Sequence, residues 1–121
     1  MKKKKRKKKS PEKILFDRCW KLMSLYTRLK HADAKGFVKC VTCGIVKHYT
    51  KMNAGHYFHD MLDFEDININ PQCVRCNHVL SGNLAQYTMY IQTNYGDEAL
   101  KDLQQKSKEL LLIQKRSCYV G

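Results

Sequence analysis

Apolar residues Ile14, Leu15, Trp20, Leu22, Leu25, Tyr26 and Leu29 recur at roughly helical spacing near the start of the chain, the pattern of an amphipathic helix. Ser10-Pro11-Glu12 precedes them. A serine cap, a proline where no helical N–H is needed and an acid in the first turn make a helix start. The pattern predicts one long helix to about Ala34, stopped by Gly36. Its apolar side is a packing surface, and Arg18, Lys21, Arg28 and Lys30 lie nearer the solvated side. Phe37 to Lys39 and Ile45 to Tyr49 read as two short strands, and Met52 to His59 as a third. Residues 60–66 are acidic and irregular, a loop, and Asp66 to Asn70 reads as a returning strand. Pro71 then precedes a helix carrying Cys76 to Leu80, broken by Ser81-Gly82-Asn83. Leu84 to Tyr95 is a further helical run ended by Gly96. Asp97 suits the N-cap of another helix to about Lys106, with an apolar end at Glu109 to Ile113.

Charge changes this picture at one end. The chain has 121 residues and a formal net charge of +12. Residues 2–9, KKKKRKKK, carry eight of those charges and leave four for the rest. Such a run cannot be buried and repels itself, so a disordered tail is expected over residues 1–9, followed by a single domain over 10–121. Lys2, Lys3, Lys4, Lys5, Arg6, Lys7, Lys8 and Lys9 are suited to sequence-independent, salt-sensitive attraction to phosphates. A solubilising or import-type tail is the plainer alternative. No apolar run is long enough to span a bilayer, and no apolar stretch follows the basic start as in a secretory signal. An intracellular protein without a membrane partner is expected.

The six cysteines divide unevenly. Cys40 and Cys43 form one C-x-x-C, Cys73 and Cys76 another, with 29 residues between the pairs. Two thiolates three positions apart fit a knuckle on one tetrahedral ion, so a structural zinc is expected. Four sulfurs close its coordination shell, which leaves no place for a reacting water. Cys19 and Cys118 read as ordinary thiols, and His31 and His48 as structural or exposed.

Between the pairs lies NAGHYFHD, residues 53–60, then NINPQC, residues 68–73, and Asn77 directly after Cys76. Alone, these histidines read as satisfied side chains on a strand. The order of histidine, asparagine and a polar residue just inside a helix resembles the HNH, or ββα-metal, nucleases. Four-cysteine resolvases of the endonuclease VII type share the asparagine after the last cysteine. KCVTCG, AGHYFHD, NPQCVRCN and SGNLAQY, with the later YG, further resemble the NinG (Rap) family of phage recombination proteins, from about Leu25 to Gly96. The resemblance implies a small α+β, zinc-stapled ββα-metal core with a long N-terminal helix and C-terminal helices. It also implies an endonuclease acting on branched DNA such as Holliday junctions and D-loops, in the host cytoplasm if phage-encoded.

By that resemblance His56 is the general base, Asn68 orients it, and Asn77 binds a catalytic divalent cation, magnesium or manganese. The position before His56, usually an acid or histidine in HNH enzymes, is Gly55. The missing ligand is sought in Asp60 and His59, with Asn53 and Asn83 as further candidates. An imidazole titrates near neutral pH, which suits a general base. The implied products carry 5′-phosphate and 3′-hydroxyl ends. Lys47 and Arg75 are candidate phosphate contacts, and His78, about 100° around the helix from Asn77, is a weaker candidate for the site. Two symmetric cuts at a four-way junction suggest a homodimer through the N-terminal or C-terminal helices. The rival expectations are a non-catalytic zinc-stapled nucleic-acid binder, an HNH enzyme acting on linear duplex, and a small ribosome-associated protein.

Overall fold

The structure is a computed structural model and describes residues 7–119, with side chains to residue 115. Residues 2–6 of the expected basic tail lie outside the described residues. Helix α1 spans Pro11–Leu29. The Ser10 side chain accepts from the Lys13 N–H, and Pro11 occupies the first turn. The helix ends five residues before the expected Ala34. Asp33 explains the early stop: its carboxylate accepts from the N–H groups of Lys35 and Phe37, both 2.9 Å away. This local bonding builds a turn and competes with helical continuation.

Two antiparallel ribbons follow. Strands β1 (Phe37–Lys39) and β2 (Val46–His48) pair around the first cysteine knuckle. A single 3-10 turn at Tyr49–Lys51 leads into β3 (Met52–His56), which pairs with β4 (Ile69–Cys73). Strand β4 lies three residues beyond the expected Asp66 to Asn70 and contains Pro71, which pairs with Ala54. The Pro71 carbonyl accepts from Val41 N–H, 3.0 Å away, on the side turned from β3. The nitrogen of Pro71 faces the same way, so its missing N–H costs no ladder bond. Strand β3 stops at His56, short of the expected His59.

The expected helix after Pro71 is one wide π-type turn, Arg75–Val79. The Leu80 N–H closes it on the Arg75 carbonyl at 2.9 Å. Helices α2 (Leu84–Tyr95) and α3 (Asp97–Tyr119) complete the chain. Asp97 is inside α3 and not its cap, and α3 continues without a break through the expected end near Lys106. Lys106 pairs with Glu65 at 3.0 Å, and the buried Ser107 hydroxyl meets Met61 Sδ at 3.2 Å, so α3 packs on the 61–65 loop along its middle.

The core has two parts. Val38, Cys40, Met52, Cys73 and Cys76 surround the knuckles. Tyr87, Ile91, Leu100 and Leu103 join α2 to α3, with Tyr57, Phe58 and Ile67 against them. Between lies a stripe of buried amides, Asn68, Asn70 and Gln72, all fully enclosed. Buried amides require hydrogen-bond partners. Asn70 donates to the Ile67 carbonyl at 2.8 Å, and Gln72 to the Gly82 carbonyl at 2.8 Å and Thr42 Oγ1 at 3.2 Å.

Candidate metal site and active cleft

The sulfurs of Cys40, Cys43, Cys73 and Cys76 lie within 4.8 Å of one another. Cys43 Sγ and Cys73 Sγ are 3.7 Å apart. Tetrahedral bonds of about 2.3 Å require sulfurs about 3.8 Å apart, so the cluster can hold a metal ion such as zinc. Hydrogen bonds support the sulfurs: the Cys76 N–H lies 3.5 Å from Cys73 Sγ, and the Asn83 amide 3.7 Å from Cys76 Sγ. Such contacts orient ligands. Asn83, a candidate for the catalytic cation, therefore serves the sulfur cluster.

The thiols differ in acidity. Burial pushes Cys40 up, but hydrogen bonds from the Thr42 side chain and from backbone N–H groups outweigh it and bring the thiol down to about 6. Burial pushes Cys43 up to about 12 and also raises Cys73. Without a cation this pocket cannot carry four thiolates at neutral pH. A dication removes the conflict by neutralising charge that the sulfurs cannot share.

A second site lies beside this cluster. Trp20, Ser24 and Arg28 of α1, Thr50, then Met52, Asn53, Ala54 and His56 of β3, and Asn77 of the π turn line a cleft of about 520 Å³. Met52 belongs also to the core around the knuckles, and Asn77 directly follows Cys76, so the cleft and the cysteine cluster adjoin. His56 Nε2 lies 2.8 Å from Asp63 Oδ1. The Trp20 ring stacks on the imidazole, centroids 5.0 Å apart at 25°. Both Trp20 and Asp63 were absent from the sequence-derived site. Trp20 looked like one more apolar residue of the helix, and Asp63 one of several acids in an irregular loop. Their approach to His56 needs the tertiary fold.

Asn68 does not reach the imidazole. Its side chain accepts from the Phe58 N–H at 2.8 Å and donates toward the carbonyls of Phe58, Met61 and Leu62 at 3.2 to 3.3 Å. It holds the 58–62 loop, and that loop leads directly to Asp63. The expected role of Asn68 as the group fixing His56 is thus corrected: Asp63 makes the contact and Asn68 braces the loop before it.

Asn77 and Asn53 line the cleft, but Asp60 and His59 do not. Asp60 is exposed at a left-handed turn, φ 60°. The exposed His59 turns toward the Ser81 carbonyl, 3.4 Å away. Together they do not form the expected cation site with Asn77. Gly55 cannot supply a ligand for a steric reason. A Cβ there would run into the side chain of Gln72, which is fully buried. Successive strand residues face opposite sides, so position 55 looks into the amide stripe while His56 faces the cleft. Lys47, Arg75 and His78 are exposed, and none lines the cleft. Of the basic tail, Lys7, Lys8 and Lys9 are described and exposed, with Lys9 paired to Asp17 at 2.7 Å. No described helix is long and apolar enough to cross a membrane.

Among known proteins, the family model described as "Bacteriophage Lambda NinG protein" matches residues 1–116. The chain is 35% identical over 69 residues to Protein ninG of Escherichia phage lambda, covering 54% of this chain and 33% of that protein. It is 35% identical over 69 residues to Protein ninG of Escherichia phage 933W, covering 54% and 34%. With Protein ninG of Salmonella phage P22 the identity is 33% over 73 residues, 57% and 36% of the two chains. The matched stretch spans about a third of the length of these relatives. No solved structure matches the chain.

Proposed function

The chain belongs to the NinG family, and from that premise we propose that it is an HNH-type DNA endonuclease hydrolysing phosphodiesters in branched recombination intermediates. The observation that carries the reading is the pairing of His56 with Asp63, 2.8 Å apart, at a cleft shared with Asn77.

A carboxylate only accepts hydrogen bonds. Asp63 therefore takes the proton-bearing Nε2 of a neutral His56 and leaves the Nδ1 lone pair as the base. The carboxylate also stabilises the imidazolium that forms when His56 takes a proton from the attacking water. General-base catalysis of this kind contributes roughly 10²- to 10⁴-fold. Trp20 covers one face of the ring and limits its rotation. The water attacks phosphorus, the bond to the 3′-oxygen breaks, and the products carry 5′-phosphate and 3′-hydroxyl ends. Asn77 lines the cleft, and its amide oxygen suits a hard cation such as magnesium or manganese. Such an ion, when bound, supplies Lewis-acid stabilisation of charge on the phosphate. The four cysteines would hold zinc, which would tie β1, β4 and the π turn together and, with its four sulfur ligands, leave no open position for the chemistry.

The test is cleavage of a labelled four-way junction and a matched linear duplex, with magnesium or manganese, by the wild type and His56→Ala. Junction cutting that depends on the cation and drops at least 10²-fold in His56→Ala is expected. Equal cutting of the linear duplex would make the enzyme a general HNH nuclease. Tight binding with no cutting under either cation would replace the proposal by a non-catalytic nucleic-acid binder.

A further inference from the structure

Arg28 is a fixed cation without an anion. Its Nε donates to the Ser24 carbonyl at 3.1 Å and its Nη1 to the Tyr49 carbonyl at 3.2 Å. The guanidinium lies over the Tyr49 ring, 5.8 Å from the centroid. These contacts orient the group and leave its charge uncompensated. Other cations of this region are treated differently: Lys13 pairs with Asp17 and Lys30 with Asp66, and Arg18 and Lys21 are exposed to solvent, whereas Arg28 is half-buried. Among the described residues no ion pair takes in Arg28.

We propose that Arg28 is a phosphate-binding residue, and that a DNA phosphodiester completes the site by resting on its guanidinium in the cleft beside His56. A guanidinium has five N–H donors. Two are spent on carbonyls, and the remaining three form a planar set suited to phosphate oxygens. Holding a half-buried charge without a counter-ion is unfavourable, and an incoming phosphate relieves that cost. The carboxylate that contacts a cleft residue, Asp63, is engaged by His56 at 2.8 Å, and the residues lining the cleft include no acid. Trp20 and Arg28 lie eight residues apart on α1, about two turns, so one helix both covers the imidazole and offers the cation. This site deepens the nuclease reading and rests on it for naming the ligand as DNA.

The experiment is binding of the full chain to a labelled four-way junction over a series of salt concentrations, with no magnesium or manganese added, so that affinity is read without cutting. Arg28→Gln is expected to weaken binding about 10-fold and to lower the slope of log K against log salt by about 0.9, the loss of one phosphate contact. An unchanged slope and affinity in a variant that melts like the wild type would overturn the proposal. If Arg28→Gln does not fold, the Nε–H resonance of Arg28 in the wild type decides. A shift on titration with the junction supports the contact, and an unmoved resonance at saturation overturns it. Absence of cleavage would sink the nuclease reading and leave this binding measurement standing.

Discussion

The indole of Trp20 stacks on the imidazole of His56, with ring centroids 5.0 Å apart and planes at 25°. The pair joins the N-terminal helix to the strand that carries the proposed base, within the distance range of productive aromatic contacts. Trp20 is a positioning residue. Trp20→Ala is expected to lower single-turnover junction cleavage roughly 10-fold or more by freeing the ring, with KM moved far less than kcat. Trp20→Phe should restore most of the rate. Equal rates in wild type and Trp20→Ala would remove the stack from the mechanism.

Asp63 holds the other side of His56. Asp63→Asn keeps the shape but presents an amide that can donate to Nε2, favouring the wrong tautomer. The expected loss in cleavage rate is about 10²- to 10⁴-fold, with DNA binding unchanged. A rate within twofold of wild type would show that Asp63 is a bystander.

Gly55 is closed to substitution by Gln72. Replacing it with the acid more usual in HNH enzymes, Gly55→Asp, is expected to destabilise the fold by more than about 3 kcal/mol, because a charge and added atoms enter an occupied interior. Gly55→Ala should cost about 1 to 3 kcal/mol. Urea unfolding curves of the zinc-loaded proteins measure both. A Gly55→Asp protein as stable as wild type, with tighter magnesium binding, would mean that position 55 can face the cleft.

Zinc binding should release protons. At pH 7 Cys40, brought down to about 6, is largely thiolate, while Cys43, raised to about 12, and Cys73, also raised, remain thiols. At least two protons should leave per zinc, and apparent affinity should climb with pH. Calorimetry in buffers of different ionisation enthalpy counts them. The metal-free chain shows a linked effect on stability. The lowered Cys40 contributes stability above the unfolded value of 9.0 that is lost as pH falls through about 6. The raised Cys43 and Cys73 remove stability as pH climbs above 9.0. Metal-free stability should therefore rise from about pH 6 to 9 and fall beyond it.

Asn68 braces the loop that delivers Asp63. Asn68→Ala leaves the Phe58 N–H and three carbonyls without their shared partner. A loss of about 2 to 4 kcal/mol in unfolding free energy is expected, together with slower cleavage. Full stability in Asn68→Ala would show that water replaces the amide at no cost.

The sequence alone determined the features that depend on near neighbours. Ser10 and Pro11 start α1 because a cap needs only the next turn. Gly96 separates α2 from α3 with a positive φ of 88°. The two C-x-x-C pairs mark a candidate metal site because each knuckle is a local structure and tetrahedral sulfur chemistry narrows its use. Other features depend on partners distant along the chain. Pro71 looks like a strand breaker until Val41 takes its outward carbonyl. Asn68 looks like a partner for His56 until loop 58–62 claims its amide. In the sequence Asp60 stands out by its place beside His59, and Asp63 and Asp66 read as acids of the loop. Only the path of the loop brings Asp63 to 2.8 Å from His56, leaves Asp60 exposed and sends Asp66 to Lys30. Periodicity and spacing record what a residue does to its own segment. Which side chains share a cleft is decided by packing between segments, here α1 against the β3–β4 ribbon.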